Sequence, residues 1–117
     1  MKKQLRKRIQ ILKDAEMITL SVAEFCLKAV DYILETKPDV DEERLGMLIT
    51  HLAMGTQRLM DCKEETPVDE NILTAVKQEL MFVDAERMAE EIITMSGFVF
   101  SKTETDFLII HLCNLLS

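Results

Sequence analysis

Residues 18–36 read ITLSVAEFCLKAVDYILET, and their apolar positions recur with a period of about 3.6 residues. The side chains that share one helical face are Ile18, Val22, Phe25, Cys26, Ala29, Ile33 and Leu34. This spacing predicts an amphipathic helix that turns one face to a core. The helix must end near Pro38, because a proline disfavours the α conformation of the residue before it.

Four further helices are predicted after this one, each from a capping residue followed by apolar residues at helical spacing. Their starts are marked by Asp41, Asp69, Asp84 and the S-x-x-E capping box formed by Ser101 and Glu104. Residues 2–13 carry a narrow apolar stripe among cations. We therefore predict an all-α protein: a basic helical lead-in at residues 1–13 and a single five-helix bundle at residues 14–117.

Charge is distributed unevenly along the 117 residues, whose formal net charge is −7. Six of the 14 basic residues precede the first acid, Asp14, so residues 14–117 hold eight basic residues against all 21 acidic ones. Such an acidic body argues against direct nucleic-acid binding and favours output through protein contacts.

Three dispersed cysteines without a C-x-x-C spacing favour free thiols in a reducing compartment. The sequence shows no secretory signal and no uninterrupted apolar run of about 18 residues. We therefore expect a cytoplasmic protein that does not insert into a membrane.

The chain has only two histidines, and each falls within a predicted helix. Counting by threes and fours places Arg44, Met47, Met54 and Arg58 on the helical face of His51. The corresponding face of His111 contains Glu104 and Asn114. A neutral imidazole is a nucleophile, and arginines suit phosphoryl oxygens, so the two histidines are candidate phosphoryl acceptors. The competing interpretation is that both are structural histidines at the edge of the core.

Other chemistry has little support in the sequence. There is no G-x-G-x-x-G, no P-loop, no G-x-S-x-G and no H-E-x-x-H. Two histidines supply at most two nitrogen ligands, so we expect neither a metal site nor a cofactor. The basic stretch 5–9, Leu-Arg-Lys-Arg-Ile, superficially suits a helical-bundle enzyme of the chorismate-mutase type. No matching set of catalytic residues follows it, so we do not expect an enzyme.

Each histidine lies within a distinctive motif: residues 48–54, LITHLAM, are followed by Gln57-Arg58-Leu59, and residues 104–114 read ETDFLIIHLCN. These stretches resemble the first and second histidine motifs of the phosphotransferase-system regulation domain, or PRD, a module of bacterial antiterminators and transcriptional activators. The similarity covers roughly residues 18–117, nearly the whole chain beyond the basic lead-in.

The resemblance implies a five-helix domain that forms homodimers. It implies phosphorylation of His51 and His111 by the histidine phosphocarrier protein or a sugar-permease subunit. Arg58, Glu104 and Asn114 match supporting positions of the motifs, whereas Arg44 is added from helical spacing alone. Thr50 departs from the family pattern, because many members have Asp directly before the first histidine.

A single copy without an effector domain is expected to signal through a partner. That partner is a transcriptional regulator, another PRD-containing regulator or a different protein contacted directly. The alternative that stays open is a phosphorylation-independent helical dimerisation or adaptor module.

Overall fold

The computed structural model describes all 117 residues and contains six helices and no strand. The helices are α1 (Lys2–Asp14), α2 (Leu20–Thr36), α3 (Glu42–Met60), α4 (Glu70–Lys77), α5 (Phe82–Ser96) and α6 (Lys102–Leu116). The all-α class is confirmed. The count of five is one short, because the basic lead-in forms a complete helix of its own.

Helix α1 belongs to the core although most of its side chains are charged. Leu5 and Ile9, 2% and 1% exposed, lie in the same cluster of buried side chains as α2 and α3. On the outer side of the helix, Lys2 Nζ lies 3.0 Å from Asp31 Oδ1 and Arg6 Nη2 lies 3.8 Å from the same oxygen. Leu5 and Ile9, together with the partly buried Leu12, thus hold the helix against the core, and its cations remain outside.

Side-chain caps fix the start of four helices, because a cap oxygen accepts one of the unpaired N–H groups of the first turn. The backbone N–H groups of Val22, Arg44, Asn71 and Glu104 donate to the side chains of Thr19, Asp41, Asp69 and Ser101, respectively. The predicted caps at the last three positions are confirmed, but the second half of the capping box is not formed, because the Glu104 carboxylate binds Arg58 and not the Ser101 N–H.

Other predicted boundaries have mixed outcomes. The predicted start of α5 at Asp84 is wrong, because the helix begins at Phe82 without a side-chain cap. Gly97 ends α5 in the left-handed conformation, φ 71°, as its position predicts. The apolar spacing after Asp69 extends to Leu80 and predicts a helix up to that residue, but α4 ends at Lys77 and Leu80 is 92% exposed.

Helix α2 lies at the centre of the core, with Val22, Cys26, Ala29, Val30 and Ile33 fully buried. It packs against α1, α3 and α5, while α6 packs against α3, α4 and α5. The contact between α3 and α6 matters most for function, because each of these helices carries one histidine.

All three cysteines are free, and Cys26 and Cys113 are buried, whereas Cys62 is exposed just beyond α3. None of the six helices is both long enough and apolar enough to cross a bilayer.

Candidate functional site

The two histidines of the chain lie in direct contact. Helices α3 and α6 pack so that the rings of His51 and His111 stack, with centroids 4.3 Å apart and planes 21° from parallel. The His51 side chain is exposed and the His111 side chain is half-buried. Residues 60 positions apart in the sequence therefore form one pair of imidazoles.

The environment of the pair keeps one ring uncharged. Burial, followed by the adjacent His51, lowers the pKa of His111 from 6.5 to about 4. Both causes act in the same direction, since low polarity and a second cation each disfavour the imidazolium form. His111 is therefore neutral near pH 7, and one of its ring nitrogens carries an unshared electron pair.

A two-point ion pair joins the same two helices. The Arg58 guanidinium on α3 donates from Nε to Glu104 Oε2 at 3.1 Å and from Nη2 to Glu104 Oε1 at 3.2 Å. Glu104 is only 6% exposed, so its carboxylate depends on this partner. Arg58 Nη2 also lies 3.8 Å from Glu65 Oε2, in the segment that follows α3. One guanidinium thus faces two carboxylates.

Gly55 makes room for this ion pair. A Cβ atom at Gly55 would lie 2.5 Å from Glu104 Oε1, which is closer than carbon and oxygen can approach. Glycine lowers helix stability by about 1 kcal/mol relative to alanine, so a glycine inside α3 needs a structural reason. Sequence reasoning missed this role, although a helical glycine midway between His51 and Arg58 was the available signal.

A cleft of about 590 Å³ opens beside the histidine pair, between α3, α4 and α6. Its volume and largely apolar walls are typical of small-ligand or docking sites. Arg58 is the one Lys or Arg residue among those that line the cleft. The lining residues are Thr50, His51, Met54, Arg58, Glu65, Val68, Ile72, Phe107, Ile110 and His111.

The hydroxyl of Thr50, directly before His51, forms its hydrogen bonds away from the histidine rings. Its Oγ1 donates to the carbonyl oxygen of Gly46 at 3.0 Å and accepts from Arg8 Nη1 at 3.1 Å. Arg8 belongs to α1, so the lead-in helix contacts the cleft wall directly. This contact had no signal in the sequence.

Two of the expected supporting residues lie apart from the histidine pair. Arg44 Nη1 donates to the backbone carbonyl oxygens of Asn114 at 3.0 Å and Ser117 at 3.3 Å. It therefore satisfies carbonyl groups at the C-terminal end of α6, where a cation is favoured. Neither Arg44 nor Asn114 lines the cleft. Of the four supporting residues, the structure joins Arg58 to Glu104 beside the pair, and Arg44 to the backbone of Asn114 elsewhere.

The described chain contains no group of three His, Cys, Asp or Glu side chains positioned to hold a metal ion. No model of a known protein family matches the chain, and neither a curated protein nor a solved structure does so.

Proposed function

We propose that this chain is a PRD-type regulatory protein that accepts a phosphoryl group on His51 or His111 from the sugar phosphotransferase system. The observation that carries the proposal is the stacked histidine pair at the wall of an open cleft that also contains Arg58. The phosphorylated form would then act on a transcriptional regulator or another partner through protein contacts. The proposal places the protein in the cytoplasm, in keeping with three cysteines that form no disulfide.

The pair suits phosphoryl transfer from a donor protein. An imidazole nitrogen with a free electron pair attacks phosphorus, the P–N bond forms, and the donor leaves with the electrons of the broken bond. His51 is exposed and can be reached by a donor, while His111 stays neutral near pH 7. Arg58 lines the same cleft and is the side chain best suited to pair with phosphoryl oxygens.

A phosphoryl group at this site would change the packing of α3 against α6. It brings a charge of about −1.5 to −2 and competes with Glu104 for the Arg58 guanidinium. A buried carboxylate that loses its partner costs about 3–5 kcal/mol. Because Arg58 belongs to α3 and Glu104 to α6, the cost is relieved when the two helices shift or when Glu104 reaches solvent.

The test is a phosphorylation assay with phosphoenolpyruvate, enzyme I and the phosphocarrier protein of the same organism. We expect an acid-labile label on the wild type and on at least one of the two single variants, His51→Asn and His111→Asn. The double variant should carry no label. Thr50→Ala is the matched control, because it alters the same cleft wall without removing an imidazole. No label on the wild type, or full label on the double variant, would overturn the proposal.

A second candidate is a phosphorylation-independent helical adaptor in which both histidines are structural. It is favoured by the state of Arg58, which already faces Glu104 and Glu65 and so needs no phosphate to balance its charge. In that case the double His51→Gln, His111→Gln variant loses stability but still binds its partner with unchanged affinity. Pull-down of the partner with wild-type and variant chains distinguishes the two candidates.

A further inference from the structure

The histidine pair has two acceptor rings but a single cation. His51 and His111 stack with centroids 4.3 Å apart, and Arg58 is the one Arg or Lys side chain among the residues that line their cleft. The other charged group of the lining is the Glu65 carboxylate, and Glu104 holds Arg58 from the buried side. Two rings this close share one electrostatic environment.

We infer that His51 and His111 form one acceptor unit that carries a single phosphoryl group at a time, on either ring. This inference rests on the proposed function, because it assumes that the pair accepts phosphoryl groups. It goes further by fixing the stoichiometry. The chain then has three states instead of four, because the doubly phosphorylated state is excluded.

Repulsion between two phosphoryl groups sets this limit. Whichever ring nitrogens they occupy, their phosphorus atoms would lie within about 8 Å of each other, which is no more than about one Debye length at physiological salt. With a charge of about −1.5 on each, the second addition is disfavoured about tenfold in bulk water and about a thousandfold at an effective dielectric constant of about 20. The half-buried position of His111 makes the lower dielectric the better description.

The carboxylates around Arg58 strengthen this exclusion. The first phosphoryl group competes with Glu104 and Glu65 for the guanidinium, and a second group finds no other cation in the cleft. The second group would therefore face the first one and two carboxylates with no further Lys or Arg among the lining residues, since Arg8 donates to Thr50 and does not line the cleft. The single cation of the cleft can compensate one phosphoryl group at most.

Phosphoramidate is a probe that needs no donor protein. A neutral imidazole nitrogen attacks its phosphorus, the P–N bond to the ring forms, and the original P–N bond breaks. The phosphoramidate nitrogen is protonated, so it leaves as neutral ammonia with that electron pair, and the phosphorylated imidazolium can release the hydrogen of its second ring nitrogen to water. Phosphorus is neither oxidised nor reduced, so the step needs no further reactant.

The experiment counts phosphoryl groups by intact-protein mass spectrometry after treatment of the folded full chain with phosphoramidate at low ionic strength. The urea-unfolded chain sets the reaction time, which is extended until that chain carries two groups. We expect the folded wild type to stop at one group. The His51→Ala and His111→Ala variants should each carry one, because the remaining ring no longer has a phosphorylated neighbour. The double variant should carry none.

Three outcomes would overturn the inference. A folded wild type with two phosphoryl groups would show that the rings do not exclude each other. A single variant that stays unlabelled would show that one ring is inaccessible, so burial and not repulsion would set the stoichiometry. A folded wild type that takes up no group would show that the stack is closed to phosphorylation.

Failure of the proposed function gives a different pattern. The chemical reaction would then stop at one group as inferred, while the phosphocarrier protein and permease subunit would transfer no label. Two groups from phosphoramidate together with normal enzymatic labelling would overturn the inference and leave the proposed function intact.

Discussion

Substitution of Gly55 by alanine tests the central geometric feature of the site. The added Cβ would lie 2.5 Å from Glu104 Oε1 and 3.4 Å from Arg58 Nη2. Glu104 cannot easily move aside, because its carboxylate is 6% exposed and is bound at both oxygens by Arg58. The methyl group must therefore displace the carboxylate and break or bend the ion pair.

The expected loss of stability follows from three contributions. Overpacking at a buried position costs about 1–3 kcal/mol. Weakening a hydrogen bond to a charged group costs about 1.5–3 kcal/mol. Alanine in place of glycine within a helix stabilises it by about 1 kcal/mol. Gly55→Ala should therefore lower the free energy of unfolding by about 1.5–5 kcal/mol.

Gly46→Ala is the matched control, because Gly46 is also buried within α3. Its added Cβ would lie 3.2 Å from Arg8 Nη2, at the end of a flexible and exposed side chain that can move away. We expect this variant to be as stable as the wild type or up to about 1 kcal/mol more stable. Urea unfolding followed by circular dichroism measures both variants. A Gly55→Ala chain at least as stable as Gly46→Ala would refute the account of the ion pair.

Three other predictions concern stability. Because His111 titrates near 4 when folded and near 6.5 when unfolded, its contribution is complete above about pH 6.5 and is lost as pH falls toward 4. Discounted for partial exposure, this contribution is about 1–2 kcal/mol, and it should vanish from the pH dependence of unfolding in the His111→Asn variant. Leu5→Ala should lower the free energy of unfolding in urea by about 2–4 kcal/mol. Ile11→Ala, on the exposed side of α1, should change it by less than about 0.5 kcal/mol. Equal effects would contradict a buried α1. Arg58→Gln should lower the free energy of unfolding by about 2–4 kcal/mol, and adding Glu104→Gln should restore part of this loss. If the effects of the two substitutions simply add in this double-mutant cycle, the two side chains are not coupled.

The fold was most predictable where the deciding interactions are local. The caps at Asp41, Asp69 and Ser101 depend on hydrogen bonds within one helical turn, so the sequence contains all the information they need. The left-handed end at Gly97 is equally local.

Helix α1 was harder to place because its charge outweighs its apolar content. Leu5 and Ile9 are buried only because α2 and α3 provide a surface for them, and that surface lies far away in the sequence. The contact of Arg8 with Thr50 is also long-range, and no pattern within residues 1–13 indicates it.

The site was predictable in its residues but not in its geometry. Helical spacing singled out His51, Arg58, His111 and Glu104, and the structure brings the histidines together and joins Arg58 to Glu104. The pairing itself depends on how α3 and α6 pack, which spacing along one helix does not determine. Arg44 shows this limit: it lies on the face of His51 by counting, yet it binds the end of α6.

Arg58 determines the direction in which an anion at the site would act. The guanidinium is the only cation that contacts Glu104, and Glu104 is the buried member of the pair. An anion that takes the guanidinium away must leave that carboxylate uncompensated, so it weakens the contact between α3 and α6 and cannot tighten it. Replacing Glu104 with glutamine removes the buried charge and keeps a hydrogen-bonding side chain. In that variant a phosphoryl group on the histidine pair should still form, but it should no longer disturb the helix contact.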